Sequence, residues 1–315
     1  MRRGLSASAI MNSQTHDCIV VGGGAAGLSA ALSLGRARRL TVVIDAGQQS
    51  NLAAHGIGGL LGHDRQPPAE LYATGRQELA EYPTVQLRDA EVLDAAASTD
   101  GGFAVTLDDG TVLSARRLLL ATGMEYRHPD VPGIAQRWGE TVFHCPFCHG
   151  WEVREQPLAV FGGPPIAVHQ ALLLTSWSED VSLLTGGTGD LQTPDRERLA
   201  AAGVSIDERP VAELLGRGRS LQAVRFDDGE QRACRGMLVA ATLHQRSDLA
   251  ARLGLALAPA DPLSAEGLAL DPQYQTSVPG VYAAGDVAAG PPSVARAVAA
   301  GNFAGAMVVM SLATG

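Results

Sequence analysis

Hydrophobic positions along the chain fall into short runs rich in Ile, Val and Leu, separated by glycine turns and Ala-rich segments. The run at 17–21 predicts a buried β-strand, the stretch at 28–34 predicts a helix, and the run at 40–44 predicts a second strand. Strands that alternate with helices in this way are typical of α/β folds with parallel sheets. The pattern continues with a helix over 70–82 and strands over 85–90, 90–95, 103–107 and 116–121.

A second strand, helix and strand follow at 156–161, 168–176 and 181–184. They repeat the arrangement of the first segment, so we predict two Rossmann-like nucleotide-binding folds of the α/β class. The other predicted elements are a helix and a strand between 192 and 215, strands over 221–226 and 237–241, and a long helix over 293–311.

The turn between the first strand and the first helix has the spacing Gly22-x-Gly24-x-x-Gly27. Gly22 allows a tight turn, Gly24 lets the backbone approach a pyrophosphate, and Gly27 permits close packing of helix on strand. Unpaired N–H groups at the helix start attract phosphate oxygens. The second strand ends at Asp45, 18 residues after Gly27, where a carboxylate can accept from a ribose hydroxyl. An acid at this position favours FAD or NAD over NADP.

The corresponding turn of the second segment has lost part of this pattern. It reads Gly162-Gly163-Pro164-Pro165, and proline has no backbone N–H to offer a phosphate. The strand that follows ends in Thr185-Gly186-Gly187-Thr188, with no arginine cluster to hold a 2′-phosphate. We therefore predict a second nucleotide fold whose NADPH site is degenerate.

Length and composition narrow the class of protein further. The 315 residues suffice for two domains, and the net charge of -9 argues against nucleic acid as the main partner. No apolar run reaches the ~18 residues needed to cross a bilayer, and no signal peptide is recognisable. The cytoplasm is therefore the expected location. Residues 1–15 are predicted to form a flexible tail.

The chain has four cysteines, too few for a disulfide framework. Cys18 lies in an apolar run and Cys234 stands alone, and both are expected to be packing residues. Cys145 and Cys148 form a Cys-x-x-Cys pair, which is compatible with a redox dithiol, a zinc half-site or a buried pair. The chain has no second such pair to complete a zinc site, so we expect no metal.

Four signals stand in order along the chain, namely the glycine turn with Asp45, the strand end Ala121-Thr122-Gly123, the Cys145–Cys148 pair, and Val281-Tyr282-Ala283-Ala284-Gly285-Asp286. From about residue 16 onward they resemble the low-molecular-weight thioredoxin reductase family of FAD-disulfide oxidoreductases. The resemblance implies two Rossmann-like domains and a homodimer. It also implies an FAD-binding domain, 16–119 with 248–315, that is split by an inserted Cys-x-x-Cys domain, 120–247.

The same resemblance implies which residues contact the cofactor. The loop 48–64 is expected to wrap FAD, and His55 and Trp151 are candidates for the substrate pocket. The implied FAD-binding residues are Gly22, Gly24, Ala25, Ala26, Gly27, Asp45, Ala46, Gln48, Asn51, Val92, Ala121, Thr122, Gly123, Gly285, Asp286, Ala295, Arg296 and Ala297.

Three features depart from the reductases. The reductases carry an acid after the Cys-x-x-Cys, where this chain has His149. The reductases also keep a full second glycine turn and a basic NADPH motif, where this chain has Gly162-Gly163-Pro164-Pro165 and Thr185-Gly186-Gly187-Thr188. The version Cys145-Pro146-Phe147-Cys148-His149-Gly150 resembles a branch of thioredoxin reductase-like dithiol oxidases, which close disulfides in gliotoxin, holomycin and romidepsin. Members of that branch use FAD and molecular oxygen, act on thiols, and protect the producing cell from reactive dithiols.

The resemblance implies that Cys145 is the sulfur that meets a small dithiol substrate and that Cys148 faces the flavin. His149 titrates near neutrality and is the candidate base, with His144 a weaker one and a structural hydrogen bond the alternative role for His149. Two other functions stay open. One is an NADPH- or ferredoxin-dependent reductase of a thioredoxin-like protein, and the other is a non-catalytic flavin-binding sensor or sequestering protein.

Overall fold

The computed structural model of the chain describes residues 11–99 and 101–314. Residues 1–10 of the predicted tail lie outside the described residues. Residues 11–15 do not form a tail, because they begin the strand β1 (Met11–Val21), in which Thr15 pairs with Ser114. Gln14 and Thr15 are exposed, so this end of the strand has no apolar pattern by which the sequence could reveal it.

The chain forms two compact units. The first comprises the chain up to Ser50 together with Ala69–Glu125 and Leu243–Gly315, and the second comprises Asn51–Pro68 and Tyr126–Thr242. The predicted FAD-binding segment 16–119 included residues 51–68, which the structure groups with the second unit. The reason is local packing that no hydrophobic pattern reveals: a Cβ on Gly58 would lie 2.7 Å from the carbonyl oxygen of Cys148.

The first unit is built on a seven-stranded sheet in the order β3-β2-β1-β6-β5-β4, with β17 also paired to β6. The strands β1, β2, β3, β6 and β17 run parallel, whereas β4 and β5 are antiparallel. Its other strands are β2 (Thr41–Asp45), β3 (Val85–Asp89), β4 (Val92–Ala97), β5 (Phe103–Leu107), β6 (Val112–Leu120) and β17 (Val281–Ala283). Its helices are α1 (Ala25–Arg36), α2 (Pro68–Ala80), α7 (Leu249–Arg252) and α8 (Val294–Thr314).

The helix α8 packs on α1 through small residues. A Cβ on Gly301 would lie 2.0 Å from the carbonyl oxygen of Ala26, and one on Gly305 would lie 2.6 Å from that of Ala30, so the two backbones approach closely. Among the described helices, α8 alone is long and apolar enough to cross a membrane. Its buried residues belong to the core cluster that also contains α1, which explains its apolar sequence as that of a core helix.

The second unit contains a five-stranded parallel sheet in the order β11-β10-β9-β15-β8 and a three-stranded antiparallel sheet in the order β12-β13-β14. The strands are β8 (Val142–Phe143), β9 (Leu158–Phe161), β10 (Val181–Leu184), β11 (Ser205–Asp207), β12 (Val211–Arg217), β13 (Ser220–Phe226), β14 (Gln231–Ala233) and β15 (Gly236–Val239). The helices are η1 (Ser50–Ala53), α3 (Ile134–Arg137), α4 (Pro146–His149), α5 (Ile166–Leu174) and α6 (Thr193–Ala201). The remaining strands, β7 (Met124–Arg127) and β16 (Thr242–Gln245), pair with each other.

Two features predicted from the sequence are confirmed at this level. Parallel sheets with intervening helices confirm the α/β class. Cys18 and Cys234 are 0% and 1% exposed inside their respective units, as expected for packing residues. Burial raises the pKa of both thiols, and that of Cys234 reaches about 12. Neither is therefore suited to thiolate chemistry.

Candidate active site

The predicted cofactor residues of the first unit lie at the carboxyl ends of neighbouring parallel strands. The strands β1, β2, β6 and β17 are parallel, so their carboxyl ends share one edge of the sheet. A backbone N–H of Ala90 donates to the carbonyl oxygen of Asp45 at 3.1 Å, which brings the start of β4 at Val92 to the same edge. This edge therefore collects the glycine turn, Asp45, Ala121-Thr122-Gly123 and Gly285-Asp286.

The glycine turn is crowded on one side and open on the other. A Cβ on Gly22 would lie 2.2 Å from the carbonyl oxygen of Ala121, and one on Gly27 would lie 1.8 Å from that of Gly22. At Gly24, in contrast, the nearest atom to an added Cβ is the Gln49 side chain at 3.5 Å. The crowded glycines are needed by the fold, whereas Gly24 leaves room for a ligand to approach the backbone.

The start of α1 suits an anionic ligand. Gly24 is the N-cap, it makes no side-chain capping bond, and the first turn has no acidic residue. The N–H groups of Ala25, Ala26 and Gly27 at this end have no acceptor four residues earlier within the helix. A pyrophosphate would satisfy these donors and meet the positive end of the helix dipole.

Asp45 is buried at the end of β2 and is held by three partners. Its carboxylate accepts from the Gly47 N–H at 3.0 Å, from the Gln49 amide at 3.0 Å, and from the Arg76 guanidinium at 3.1 Å. Arg76 also bonds Asp89 at 2.5 Å. The Gln49 amide can give way to a ribose hydroxyl while Arg76 and Gly47 keep the carboxylate in place. Ala46 and Gln48, which were predicted to contact the cofactor, are exposed beside it.

The connection from β17 to α8 supplies the last predicted cofactor residues. Gly285 has a φ of +87°, and a Cβ there would lie 2.9 Å from the Ala26 side chain, so this turn lies directly on α1. The guanidinium of Arg296 donates to the carbonyl oxygens of Ala289 at 2.7 Å and Pro291 at 3.0 Å, so its side chain stabilises this connection. Ala295 is exposed and Ala297 is buried in the first turn of α8.

The residues that are present fit FAD. An open backbone at Gly24, an uncapped helix start and a buried acid at Asp45 match its pyrophosphate and its ribose. Asn51 lies in η1 and belongs to the second unit, so its predicted contact stays a prediction. Gln49 and Arg76 were not predicted, because their partner Asp45 is recognisable only once the fold brings them together.

The Cys-x-x-Cys pair lies at the start of the short helix α4 in the second unit. Cys145 is its N-cap and Pro146 occupies the first turn, where a missing N–H costs nothing. Neither cysteine is in a disulfide, and the Cys148 Sγ–H donates to the Cys145 Sγ at 2.7 Å. The two sulfurs are therefore close enough to be oxidised to a disulfide without refolding of the helix. Among the described residues, no group of three His, Cys, Asp or Glu side chains could hold a metal ion.

The surroundings of Cys145 favour its thiolate form. The hydrogen bond from Cys148 lowers the pKa of Cys145 to about 7 against the opposing effect of burial, and backbone N–H groups of Cys148 and Phe147 add to the effect. A thiolate at this position is nucleophilic near neutral pH, which disulfide exchange requires.

This acidity gives a direct prediction. In the reduced protein, the rate of Cys145 alkylation by iodoacetamide should rise with pH with its midpoint near 7, because only the thiolate reacts. Mass spectrometry of the Cys145 peptide measures the rate. Cys148→Ala is the matched control, because removal of the side-chain donor at position 148 should move the midpoint upward. A wild-type midpoint near the ordinary value of about 8.5 would contradict the assigned acidity.

His149 is fixed at the other end of α4. Its Nε2 lies 3.1 Å from the carbonyl oxygen of Gly139, and its ring stacks on Phe143 with centroids 5.5 Å apart. Burial lowers the pKa of His149, and the lowering is opposed by the Gly139 hydrogen bond, the charge of Glu152, the Cys145 backbone and the charge of Glu140. The imidazole is therefore neutral at pH 7, as a proton acceptor must be.

His144 lies in an aromatic cluster on the other side of Cys145. Its ring is 4.8 Å from that of Tyr126 and 5.8 Å from that of Trp138, measured between centroids, and His128 also contacts Trp138. Burial, and then the neighbouring His149, lower the pKa of His144 to about 4. Its role is thus packing next to the dithiol, which agrees with its lower rank as a candidate base.

The segment 51–68, which contains most of the loop 48–64 expected to wrap FAD, packs on the backbone of Cys148 within the second unit. The expected contact of the loop with FAD stays a prediction. His55 in this loop is exposed and lies 3.3 Å from Glu140. Trp151 is exposed and carries the Arg154 guanidinium 3.9 Å above its ring. Phe147, between the two cysteines, is 71% exposed and meets Trp177 edge to face. Phe147 and Trp151 thus expose aromatic side chains within three residues of the two cysteines along the chain.

The second nucleotide turn is closed by the protein itself. A Cβ on Gly189 would lie 3.1 Å from Cδ of Pro164, and one on Gly163 would lie 3.4 Å from the carbonyl oxygen of Thr188. The turn after β9 and the turn after β10 are therefore in contact. The nearby arginines are neutralised, since Arg196 pairs with Glu208 at 2.7 Å and Arg209 pairs with Asp207 at 2.7 Å.

Comparison with known proteins agrees with this architecture. The family model described as pyridine nucleotide-disulphide oxidoreductase matches residues 16–301. The chain belongs to this family. Thioredoxin reductase tcpT from Claviceps purpurea is 33% identical over 308 residues, and thioredoxin reductase sirT from Leptosphaeria maculans is 32% identical over 307 residues. The matches cover 94% and 93% of this chain and the same shares of the two relatives.

Solved structures also match over nearly the whole chain. An oxidoreductase from Agrobacterium tumefaciens has a TM-score of 0.90 at 36% identity, covering 96% of this chain and 99% of its own. The crystal structure of HlmI has a TM-score of 0.89 at 35% identity, covering 98% of this chain and 95% of its own. The predicted resemblance to thioredoxin reductases and the two Rossmann-like folds are confirmed.

Membership of the pyridine nucleotide-disulphide oxidoreductase family also settles the cofactor and the general chemistry. The protein uses FAD, and it is a flavin oxidoreductase that acts on sulfur. Several residues beside the dithiol escaped the sequence prediction, namely Trp138, Gly139, Glu140 and Arg219. They carry no motif, and only the fold brings Arg219 next to residues about 80 positions earlier.

Proposed function

We propose that this protein is an FAD-dependent dithiol oxidase that closes an intramolecular disulfide in a small natural product. The closed second nucleotide turn carries the proposal. Pro164 lies against Gly189, neither Pro164 nor Pro165 has a backbone N–H to offer a phosphate, and Arg196 and Arg209 are both paired with carboxylates. With the NADPH site impaired, we propose that electrons enter through the dithiol. The direct test compares NADPH with a dithiol as the anaerobic reductant.

The first half of the reaction is two thiol–disulfide exchanges. A substrate thiolate attacks Sγ of oxidised Cys145, the Cys145–Cys148 bond breaks, and Cys148 leaves as a thiolate. The second substrate thiolate then attacks the substrate sulfur of this mixed disulfide. The substrate leaves with a closed disulfide, and Cys145 and Cys148 have gained two electrons. The low pKa of Cys145 makes it a good leaving group in the second exchange.

The second half restores the Cys145–Cys148 disulfide. The chemistry that FAD supplies when bound is to accept two electrons from the dithiol and to deliver them with two protons to molecular oxygen, which gives hydrogen peroxide. Cys148 is the sulfur assigned to the flavin side. The overall balance is one dithiol and one oxygen converted to one disulfide and one hydrogen peroxide.

His149 is proposed to take the protons from the substrate thiols. With its Nε2–H donated to the Gly139 carbonyl, its Nδ1 carries the lone pair that accepts a proton. Its lowered pKa keeps it neutral near pH 7. An ordinary thiol with a pKa of about 8.5 is only ~3% ionised at that pH, so a base increases the supply of thiolate.

Replacing His149 with Gln should slow reduction of the protein by a dithiol at pH 7 by about 30-fold. Without a base, only the ~3% of substrate thiol that is already ionised at this pH can react. Gln can keep a donor to the Gly139 carbonyl but cannot accept the proton. The wild-type rate should reach its plateau at a lower pH than an ordinary histidine base would give, because the His149 pKa is lowered, whereas the variant's rate should keep rising to about pH 8.5. Stopped-flow reduction across pH measures both. An unchanged profile would assign His149 a structural role only.

One alternative is supported by a specific observation. The relatives tcpT and sirT are named thioredoxin reductase, and the same two cysteines would serve a reductase of a protein disulfide supplied by NADPH or ferredoxin. Only the direction of the electrons differs. Rapid anaerobic reduction by NADPH would favour this alternative over the oxidase.

The wider setting follows from the same proposal. We place the enzyme in the cytoplasm as a homodimer, where it completes an antibiotic-like product and protects the producing cell from its reactive dithiol form. Exposed apolar residues around the dithiol, including Phe147 and Trp151, suit a small organic substrate. Oxygen uptake with dithiothreitol, with hydrogen peroxide formed in equal amount, is the expected activity with a generic dithiol.

A further inference from the structure

The carbonyl of Gly139 decides which nitrogen of His149 carries a proton. Nε2 lies 3.1 Å from this oxygen, and a carbonyl can only accept, so Nε2 is the protonated nitrogen. The hydrogen bond at one imidazole nitrogen thereby sets the state of the other, Nδ1. The position of the Gly139 carbonyl is therefore part of the site. Gly139 has a φ of +79°, so its conformation has to be maintained by its neighbours.

Arg219, between β12 and β13, holds the chain on both sides of Gly139. Its Nη2 donates to the carbonyl oxygen of Trp138 at 2.7 Å and to that of Ala53 at 2.6 Å. Its Nε forms an ion pair with Glu140. One planar guanidinium thus joins the residue before Gly139, the residue after it, and the loop that packs on Cys148.

Thr141 secures the same segment to the same hairpin. Its hydroxyl donates to the Arg219 carbonyl oxygen at 2.6 Å and accepts from the Leu221 N–H at 3.1 Å. The Gly139 N–H in turn donates to the carbonyl oxygen of Val142 at 2.9 Å. The segment 138–141 is therefore attached to the β12–β13 hairpin at several points, while the carbonyl oxygen of Gly139 lies 3.1 Å from Nε2 of His149.

The charged residues near Gly139 also help to hold the segment 138–141 in place. Glu140 is mostly buried and accepts from both Arg219 and His55. The titratable groups that act on His149 are Glu140, Glu152 and His144. Arg219 neutralises the nearest buried carboxylate, so Glu140 stays in its place beside Gly139 and does not turn toward the imidazole.

We propose that Arg219 is a positioning residue for His149: by holding the segment 138–141 it keeps the Gly139 carbonyl on Nε2 and leaves Nδ1 as the proton acceptor. The chemical use of Nδ1 rests on the proposed function, whereas the positioning itself does not. Lysine could not replace Arg219 fully, because an ammonium lacks the planar fork that reaches two carbonyls and a carboxylate together.

The test reads the histidine tautomer directly. Protein labelled with ¹⁵N-histidine is examined by long-range ¹H–¹⁵N NMR, and His149→Gln identifies the His149 signals. The wild type should show the Nε2–H tautomer. Arg219→Met should give a mixture of tautomers, and Arg219→Lys should lie between the two. Arg217→Met, at an exposed position of the same hairpin, is the matched control and should leave the wild-type pattern.

Kinetics extend the test. Arg219→Met should lower the rate of reduction by dithiothreitol at pH 7 by about tenfold, within the range for an impaired general base, and should shift the pH profile toward that of His149→Gln. A tautomer change with an unchanged pH profile would support the positioning role and contradict the base assignment. An unchanged tautomer in Arg219→Met would overturn the positioning role. If Arg219→Met does not fold with FAD, the same NMR measurement is made on Thr141→Val. This variant removes the hydroxyl that attaches the segment 138–141 to the hairpin, and an unchanged tautomer would again overturn the positioning role.

Discussion

Replacement of Cys148 by Ser is expected to reduce hydrogen peroxide production from dithiothreitol by ~10⁴-fold or more, as for loss of a covalent catalytic group. The Cys145 and Cys148 sulfurs lie 2.7 Å apart, and the proposed reaction forms and breaks the bond between them. With Ser at 148, Cys145 has no partner for a disulfide, and electrons from the substrate have no acceptor in the protein. A peroxide assay under steady turnover measures the effect, with flavin content determined on the same samples.

Cys234→Ala is the matched control for loss of a cysteine. Cys234 is 1% exposed, so its truncation should lower stability by about 1 kcal/mol and leave turnover intact. Full activity in Cys148→Ser would exclude the dithiol from the reaction. A wild-type protein that binds dithiols tightly without producing peroxide would instead support the non-catalytic sensor or sequestering role.

A valine at Gly24 is expected to abolish FAD binding with little loss of fold. The nearest protein atom to a Cβ at Gly24 is the Gln49 side chain at 3.5 Å, so the protein itself has room for a Cβ at this position. The pyrophosphate has to approach this backbone closely, and valine methyl groups would occupy that space. We expect the FAD dissociation constant to rise at least ~100-fold, corresponding to about 3 kcal/mol. Flavin fluorescence titration of the apoprotein measures the change.

Arg36→Val serves as the control for this variant. It introduces the same β-branched residue at an exposed position in the last turn of α1, far along the helix from the glycine turn. Its FAD affinity should equal that of the wild type, and circular dichroism should show both variants folded. Normal FAD binding by Gly24→Val would mean that the pyrophosphate lies elsewhere.

Much of the fold was predictable because its signals are local. The glycine turn, the β-branched runs and Asp45 lie within 30 residues of one another, and each has its own physical reason. The same holds for the Cys145–Cys148 pair, whose spacing alone places two sulfurs close together. Elements built on such short-range patterns agree with the structure to within a few residues, as at Phe103–Leu107 and Val181–Leu184.

The surroundings of the dithiol were not predictable, because they depend on contacts between distant segments. Residues 51–68 have a loop composition that says nothing about which unit they join, and only the approach of Gly58 to Cys148 assigns them. Arg219 looks like any hairpin arginine until the fold places it between Trp138 and Ala53. Arg76 likewise gains its meaning only from its contact with Asp45.

The direction of electron flow is the central claim, and one anaerobic measurement tests it. The oxidised flavoprotein is mixed without oxygen either with dithiothreitol or with NADPH, and the flavin absorbance is followed. We expect rapid bleaching of the flavin by dithiothreitol and no bleaching by NADPH. When oxygen is admitted, the flavin absorbance should recover and hydrogen peroxide should form. Rapid bleaching by NADPH, with no response to the dithiol, would contradict the proposed direction of electron flow.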